Sequence, residues 1–243
     1  MISLIVAPEL FDGDEAPVEG EAYRHLFRAR RLAVGDRLRV VDGRGRARWA
    51  EVEAVDRRSG RLRLLDPAPS NEPAYRLELL VGTPKRERAA VLVEKATELG
   101  VVAVRFLSCE RSPRELGGGT LERLGRVAAA ALEQCGGSRL PEISGVHGFD
   151  GLARLLRELP DRWFLDTSAH LGTGWGEGRA AAGAVLVGPE GGWSEAEAEA
   201  LAELGARPVW LGERTLRVET AAVLAAGAVL LAAGAGGNMP VRR

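Results

Sequence analysis

The chain has few of the residues that build metal sites and disulfide frameworks. It contains 2 cysteines and 3 histidines in 243 residues, with no CxxC or HxxxH spacing. Cys109 and Cys135 lie far apart in the sequence and lack the spacing of metal ligands. The sequence therefore argues against a metal centre and against a fold that depends on disulfides.

Long apolar runs are absent as well. No stretch reaches the roughly 20 apolar residues that a membrane-spanning helix requires. The first residues, MISLIVAPELFDGDE, show no basic start, no long apolar segment and no small-residue cleavage site. We therefore expect no membrane span and no secretory signal, and cytoplasmic residence is the default expectation. A hydrophobic content of 46% is ordinary for a globular protein and argues against extended disorder.

Lysine is nearly missing, because 31 of the 33 basic residues are arginine. The net charge of −1 gives no hint of nucleic acid, but the charges are segregated along the chain. Residues 24–63 contain 13 arginines and five acidic residues, whereas residues 9–21 contain six acidic residues and no basic one. Phosphate binding requires such a basic stretch. A solvated strand surface explains the same pattern equally well.

The first 65 or so residues predict a small β-barrel. Short strands are expected at SLIVA, DRLRVVDG, RARWAEVEAV and GRLRLLD, with Gly- and Asp-containing turns between them. Between the first two, GEAYRHLFRARRLAVGD predicts a short helix that ends near Gly35. The proline-rich stretch DPAPSNEPAY predicts a linker. We therefore expect one domain at 1–68 and a second at 74–243.

From Tyr75 onward the pattern changes to alternating strands and helices. Strands are expected at RLELLVGT, VVAVRFLS, WFLDTS, AVLVGP and PVWLG, and helices lie between them in the sequence. This order favours an α/β fold with a mainly parallel sheet covered by helices on both faces. The last helix, ETAAVLAAGAVLLAAG, is apolar nearly all round, which suits a core or a subunit interface.

The strongest local signal is AVLVGPEGGWSEAEAEAL, in which a buried strand leads into a glycine-rich turn and then a helix. Ser194 and Glu197 have the spacing of a capping box, which predicts where that helix starts. A turn of this kind at the carboxyl edge of a parallel sheet is where α/β folds bind ligands. A purely structural turn has the same pattern. The segment matches neither the dinucleotide fingerprint nor the phosphate-binding loop.

A second loop, LGERTLRVETAAVL, repeats this arrangement. Its strand is expected to end at Leu211, its turn to lie at Gly212, and its helix to begin around Glu219 and Thr220. These last two residues have the types that cap a helix and complement its dipole. Two polar, glycine-containing loops after successive strands favour a shared pocket.

Two further clusters carry polar residues. EQCGGSRLPEI follows an amphipathic helix and contains Arg139, and TPKRERAAVL places Lys85, Arg86 and Arg88 just past a strand end. These basic residues either contact phosphates or form an ordinary helix surface.

Together these segments resemble the RsmE family of bacterial ribosomal RNA uridine-N3 methyltransferases, part of the SPOUT superfamily. The resemblance runs from about Arg24 to Ala233. HLFRARRLAVGDRLRVVDGRG carries it near the N-terminus, and KATELGV, EQ…R.PEI, VGPEGGWS and LG.RTLRVETA follow in order. Two positions depart from the pattern, with Cys135 in place of the usual serine and Gly137 in place of a common arginine.

The resemblance implies an N-terminal PUA-like RNA-binding barrel and a C-terminal α/β domain with a trefoil knot. It also implies a homodimer and S-adenosylmethionine as the cofactor. Carried over by position, the cofactor residues would be Val187, Gly188, Pro189, Glu190, Gly191, Gly192, Leu211, Gly212, Leu216, Arg217 and Thr220.

For catalysis, the resemblance and the charge that develops on the base point to two residues. Arg217 would stabilise negative charge on uridine N3 and its flanking carbonyl oxygens. Glu219 would accept the proton or orient Arg217. The expected RNA-binding residues are Arg24, Arg28, Arg31, Arg46, Lys85, Arg86 and Arg139.

The expected partner is small-subunit ribosomal RNA, either free or in the assembled 30S subunit. Three alternatives are open. Related knotted enzymes methylate ribose 2′-hydroxyls or guanine, and an RNA-binding module without catalysis would have the same barrel. A nucleotide-dependent oxidoreductase is disfavoured, because the dinucleotide fingerprint is missing.

Overall fold

The structure is a computed structural model that describes residues 2–112, 118–146, 148–167 and 180–234. The chain divides into two compact units, one formed by Met1–Glu72 with Ala129–Leu140 and the other by Pro73–Ala128 with Pro141–Arg243. The domain limits expected from the sequence, 1–68 and 74–243, stay a prediction. So does the trefoil knot.

The first unit is built on a five-stranded sheet in the order β1-β3-β4-β5-β2. β1 pairs with β3 in parallel, and the other pairs are antiparallel. The buried side chains include Leu26, Leu38, Val40 and Leu62, and together they form one apolar core. The elements are β1 Ser3–Ile5, α1 Pro8–Phe11, β2 Glu15–Val18, α2 Gly20–Tyr23, a π-helical segment Arg24–Ala29, β3 Arg37–Val41, β4 Ala47–Val55 and β5 Gly60–Pro67.

The four strands expected in this unit are all present, but α1 and β2 were not predicted. β2 could not be predicted because it is only four residues long, EAPV, and one of them is proline. The predicted helix near Gly35 ends earlier, at Ala29. There the backbone adopts a wider π-helical turn, in which the Arg30 amide donates to the His25 carbonyl at 2.9 Å.

Residues 129–140 are fastened to this unit by polar groups. Glu133 Oε1 accepts a hydrogen bond from the Ile5 amide at 3.0 Å. Glu72 Oε1 accepts from the amides of Ser138 at 2.5 Å and Arg139 at 3.0 Å. The proline-rich stretch therefore does more than connect, because one of its side chains organises the segment after the long helix.

The second unit contains a six-stranded sheet in the order β11-β9-β10-β6-β7-β8. Every pair in it is parallel, which confirms the predicted α/β class. The elements are β6 Arg76–Gly82, α3 Arg86–Leu99, β7 Ala103–Leu107, α4 Gly118–Cys135, β8 Glu142–Val146, α5 Gly148–Arg157, β9 Asp161–Leu165, β10 Ala182–Val187, α6 Glu195–Glu203, β11 Arg207–Val209 and α7 Val218–Gly234. The last part of α4, from residue 129, belongs to the first unit.

Local sequence signals explain the helix ends in this unit. α3 ends at Gly100, whose φ of 79° is the left-handed conformation that favours glycine. α6 begins with the predicted capping box, in which the Ser194 hydroxyl accepts from the Glu197 amide and the Glu197 carboxylate accepts from the Ser194 amide. β11 ends at Val209, two residues before the expected Leu211.

The apolar helix α7 packs against α3, β6 and β10. Its buried face consists of alanine and valine, including Ala222, Ala225 and Val229. Leu224 and Leu231 on the same helix are exposed, at 48% and 69%. No helix in the described ranges combines the length and hydropathy needed to cross a membrane.

Candidate functional site

The glycine-rich turn after β10 is packed so tightly that side chains are excluded at key points. A Cβ added to Gly82 would lie 2.4 Å from the Pro189 nitrogen, and one added to Gly191 would lie 3.0 Å from the Arg111 Cβ. Gly192 has a φ of 72°, which favours glycine. The turn therefore has a defined backbone conformation, because neighbouring atoms occupy the space that side chains at Gly82 and Gly191 would need.

Neighbouring strand ends hold this turn in place. Arg111, which follows β7, donates to the carbonyl oxygens of Gly191 and Trp193, both at 3.1 Å. The Trp193 indole donates to the Leu165 carbonyl at the end of β9, also at 3.1 Å. Glu197 Oε1 accepts from the Glu110 amide at 2.8 Å. Two separate segments, residues 110–111 after β7 and Leu165 at the end of β9, thus hold the turn and the start of α6.

A cavity of about 820 Å³ lies between this turn and the loop that precedes α7. Both loops line it, as the two repeated strand-turn-helix patterns predicted. The residues that line it are Arg88, Arg111, Leu165, Asp166, Thr167, Val187, Gly188, Pro189, Glu190, Gly191, Gly192, Trp193, Ser194, Glu195, Ala198, Glu199, Thr215, Leu216, Arg217, Val218 and Ala221.

The expected cofactor residues divide into two groups at this cavity. All six residues from Val187 to Gly192 line it, as do Leu216 and Arg217. Leu211, Gly212 and Thr220 are not among the lining residues, and Thr220 is exposed. The lining part of the second loop is therefore 215–218, which lies directly before and at the start of α7.

Glu219 does not line the cavity either. Its side chain is 13% exposed, and its Oε1 lies 3.9 Å from the Arg88 Nε atom. Its Oε2 atom is buried and has no hydrogen-bond partner. Arg88 also forms an ion pair with Glu190, at 2.5 Å between Nη1 and Oε1.

Sequence analysis missed part of this lining. Asp166 and Thr167 follow β9, which neighbours β10 in the sheet, so the residues after both strands meet at one edge. The polar pair DT directly after the apolar run WFL was the available signal. The sequence indicates Arg88 only as one of several basic residues that contact phosphates or form a helix surface. Nothing local marks Arg111, whose partners lie 80 or more residues away.

The expected RNA-binding residues of the first unit that follow α2 are exposed. Arg24, Arg28 and Arg31 all lie in or just after the π-helical segment. Arg31 has a φ of 59°, a left-handed conformation that residues with a Cβ adopt rarely. The Arg28 guanidinium lies 5.7 Å from the centre of the Tyr23 ring and donates to the Arg57 carbonyl at 3.2 Å.

Arg46 is held differently, because two carboxylates engage it. Its guanidinium pairs with Asp12 and with the fully buried Asp42, both at 2.6 Å, and lies 4.7 Å from the centre of the Phe11 ring. Burial works to raise the pKa of Asp42, but hydrogen bonds from the Arg46 side chain and from the amides of Arg44 and Arg46 outweigh it. The pKa of Asp42 is therefore below its ordinary value.

The other expected RNA-binding residues lie in different places. Arg139 packs against Gly45 in the first unit, where a Cβ would lie 2.5 Å from its Nη2 atom. Lys85 and Arg86 are exposed at the start of α3 in the second unit, and neither lines the cavity. Within the described ranges no group of three or more His, Cys, Asp or Glu side chains has the arrangement of a metal site.

Comparison with known proteins identifies an N-terminal and a C-terminal domain in the chain. Residues 70–230 match the model of an RNA methyltransferase domain, and residues 18–65 match that of an RNA methyltransferase PUA domain. The ribosomal RNA small subunit methyltransferase E of Mycobacterium bovis is 31% identical over 239 residues, covering 89% of this chain and 86% of that protein. The chain belongs to the family of ribosomal RNA small subunit methyltransferases E. The methyltransferase of the same name from Synechocystis is 30% identical and covers 91% of this chain and 75% of that protein.

Solved structures show the same fold. The ribosomal RNA small subunit methyltransferase E of Neisseria gonorrhoeae, bound to S-adenosyl methionine, has a TM-score of 0.81 at 24% identity and covers 95% of this chain and 97% of that chain. A methyltransferase of Legionella pneumophila in complex with the bound cofactor SAM has a TM-score of 0.77 at 26% identity, and the match covers 96% of each chain. The predicted PUA-like unit and α/β methyltransferase unit are thereby confirmed.

Proposed function

We propose that this chain transfers a methyl group from S-adenosylmethionine to N3 of a uridine in small-subunit ribosomal RNA. The observation that carries the proposal is the cavity that the turn 187–192 and the loop 215–218 share. It lies in the part of the chain that belongs to the RNA methyltransferase family. Relatives named ribosomal RNA small subunit methyltransferase E are similar to this chain over most of its length.

The residues at the cavity suit this cofactor in size and in charge. A volume of about 820 Å³ falls within the range of roughly 300–1,000 Å³ that is typical of pockets for small molecules. Four carboxylates and three guanidinium groups line it, so its wall has a net charge of −1. S-adenosylmethionine carries a net positive charge at neutral pH, and an acidic wall favours such a ligand. The charged lining residues are Asp166, Glu190, Glu195 and Glu199, and Arg88, Arg111 and Arg217.

The proposed cofactor residues are those that the resemblance implied. Val187, Gly188, Pro189, Glu190, Gly191, Gly192 and Leu216 line the cavity and would contact the cofactor directly, and Arg217 lines the cavity beside them. Leu211, Gly212 and Thr220 would support the second loop from outside the wall. Backbone amides and carbonyls of the glycine-rich turn are suited to binding, because its three glycines carry no side chain of their own.

When bound, S-adenosylmethionine supplies an electrophilic methyl group on its sulfonium sulfur. The protein then has to hold the uridine and stabilise the negative charge that forms as N3 loses its proton. Arg217 would stabilise this charge, because it lines the cavity and a guanidinium can donate to two acceptors at once. Glu219 is the proposed acid–base or orienting residue, and its carboxylate lies beside Arg88.

The first unit would bind the RNA around the target. A base that reacts at N3 has to leave any stack to reach the cavity, so we propose a flipped-out or single-stranded uridine. Arg24, Arg28, Arg31, Arg46 and Arg139 would contact its flanking phosphates, together with Lys85 and Arg86 of the second unit. We further propose that the enzyme is a cytoplasmic homodimer, that its C-terminal chain forms the trefoil knot, and that it acts on free RNA or the assembled 30S subunit.

Transfer of a labelled methyl group tests the activity. Small-subunit particles and the RNA extracted from them, both from a strain lacking the gene, are incubated with the protein and radiolabelled S-adenosylmethionine. We expect label in the small-subunit RNA and none in large-subunit RNA used as the control. Binding of the RNA without any transfer would instead support a non-catalytic RNA-binding module.

A further inference from the structure

Arg88 stands at the junction of the two loops that line the cavity. It lies in the first turn of α3, which packs against α7, and its side chain is 27% exposed. Its Nη1 atom is 2.5 Å from Glu190 in the turn after β10, and its Nε atom is 3.9 Å from Glu219 in the first turn of α7. One guanidinium therefore connects the two loops electrostatically.

The burial of Glu219 makes this connection necessary. One of its carboxylate oxygens is buried without a hydrogen-bond donor, and the side chain as a whole is mostly buried. A buried carboxylate without a compensating partner is costly, so the charge of Arg88 nearby is what this position needs. Among the basic side chains of the described residues, Arg88 is the one within ion-pair distance of Glu219.

The two residues differ in their access to a ligand. Arg88 and Glu190 line the cavity, whereas Glu219 does not. A mostly buried carboxylate behind the wall can set the position and charge balance of the arginine in front of it. Arg88 thus faces the cavity, and Glu219 acts on the cavity through Arg88.

We propose that Arg88 is a positioning residue of the methyl-transfer site, and that Glu219 acts on the site through Arg88 and not by taking the substrate proton. This inference rests on the proposed function. The pair Glu219–Arg88 holds Glu190, and with it the turn 188–192, in the shape that binds the cofactor. Cofactor binding and methyl transfer then depend on the three residues as a unit.

A double-mutant cycle tests this. Arg88→Ala, Glu219→Gln and the double variant are compared with the unmodified protein by calorimetry of S-adenosylmethionine binding and by single-turnover methyl transfer. We expect each single variant to weaken cofactor binding by about tenfold, and the double variant to lose about as much as one of them, because interacting residues are not additive. Losses that multiply in the double variant would overturn the proposal.

Further variants separate positioning from folding. Arg88→Lys keeps the charge but lacks the planar fork, so it should recover part of the lost affinity, whereas the uncharged Arg88→Gln should not. Arg126→Ala, at an exposed arginine of α4, is the matched control and should bind the cofactor normally. Equal recovery by lysine and glutamine would overturn the proposal. Should Arg88→Ala lower the Tm, the cycle is run with Arg88→Gln.

The same experiment distinguishes the failure of this inference from that of the proposed function. An unmodified protein that binds no S-adenosylmethionine contradicts the proposed function and this inference together. An unmodified protein that binds the cofactor and transfers methyl groups, while Arg88→Ala and Arg88→Gln match it, contradicts the inference alone. A pH–rate profile adds a third readout. Glu219→Gln should lower the rate at every pH without removing an ionisation from the profile, because Glu219 is not the base.

Discussion

At the scale of single residues, two of the three arginines of the cavity, Arg88 and Arg217, have different surroundings. Arg88 is paired with carboxylates of two loops, whereas Arg217 is exposed in the second loop and lines the cavity. A paired guanidinium maintains the shape of a site, and an exposed one in a cavity is available to a substrate. The sequence suggested the role of Arg217 through the resemblance, but the role of Arg88 emerges only from the fold.

Arg217→Ala should separate chemistry from binding. Loss of a group that stabilises charge in the transition state costs about 100-fold or more in rate. We expect single-turnover methyl transfer to fall by at least that factor, with the cofactor Kd changed by less than about threefold. Calorimetry and rapid-quench transfer give the two values. A collapse of cofactor affinity in Arg217→Ala would make Arg217 a binding residue.

Asp42 should make the stability of the first unit depend on pH. Its pKa is lowered in the folded protein, so its contribution is complete above the unfolded pKa of about 4 and is lost as the pH falls through the folded value. Replacing Asp42 with asparagine removes the charge that accepts three hydrogen bonds, from the Arg44 amide, the Arg46 amide and the Arg46 side chain.

Asp42→Asn is therefore expected to cost about 2 kcal/mol of unfolding free energy at pH 7 and clearly less at pH 3. Urea denaturation of both proteins at the two pH values measures the difference. Asp14→Asn is the control, because Asp14 is an exposed carboxylate in the same unit. An equal loss at pH 7 and pH 3 would show that the charge of Asp42 does not contribute.

At the scale of helices and strands, glycines have opposite roles in β10 and α7. A Cβ on Gly183 in β10 would lie 2.3 Å from the Tyr75 hydroxyl and 2.6 Å from the Asp161 carbonyl oxygen. A Cβ on Gly227 in α7 would meet nothing within 4 Å. The first glycine is required by close packing in the sheet, and the second is a weak point in a helix.

Alanine at these two positions should therefore shift the Tm in opposite directions. Gly183→Ala should destabilise the second unit by about 3 kcal/mol, because neither neighbour is a flexible side-chain end. Gly227→Ala should stabilise it by up to about 1 kcal/mol. Calorimetric melting of the two variants beside the unmodified protein gives both shifts. A tolerated Gly183→Ala would contradict the packing of β10.

Elements with regular patterns could be predicted, and those fixed by distant partners could not. Five of the six strands of the parallel sheet, the start of α6 at Ser194 and the end of α3 at Gly100 followed from the local sequence, whereas β8 (Glu142–Val146) was not predicted. β2 escaped because a four-residue edge strand carries little periodicity, and the π-helical turn after Tyr23 has no sequence signature that differs from an α-helix. The docking of residues 129–140 depends on Glu72, far away in the chain.

In the candidate site too, features that depend on distant partners could not be predicted. Both cavity loops could be predicted, since each joins a strand to a helix with glycine in the turn. The third contribution, from Asp166 and Thr167, depends on β9 lying next to β10 in the sheet, and strand order is not written locally. Arg88 and Arg111 likewise gain their partners through tertiary contacts with the turn after β10.

At the scale of the whole molecule, the net charge of −1 conceals a strongly basic stretch at residues 24–63. Its arginines differ in how far carboxylates already engage them. Arg46 is paired with Asp12 and Asp42, whereas Arg24 and Arg31 are exposed with no ion pair to a described carboxylate. The exposed group beside the π-helical segment is the better candidate for phosphate contact.

Charge reversal at an exposed arginine beside the π-helical segment should change the salt dependence of RNA binding. Each phosphate contact contributes about 0.7–0.9 to the slope of log affinity against log salt concentration. Arg31→Glu should weaken binding of small-subunit RNA and lower the slope by about one phosphate contact. Arg126→Glu on α4 is the charge-matched control. An unchanged slope in Arg31→Glu would remove this surface from the RNA interface.

Nucleoside mass spectrometry of the reaction product identifies the atom of small-subunit ribosomal RNA that the second unit methylates, which we propose to be uridine N3. Small-subunit particles from a strain lacking the gene are treated with the protein and S-adenosylmethionine, digested and compared with an untreated sample. The account predicts 3-methyluridine as the new nucleoside, absent when Arg217→Ala replaces the unmodified protein. A ribose-methylated nucleoside or a methylguanosine as the product would contradict it.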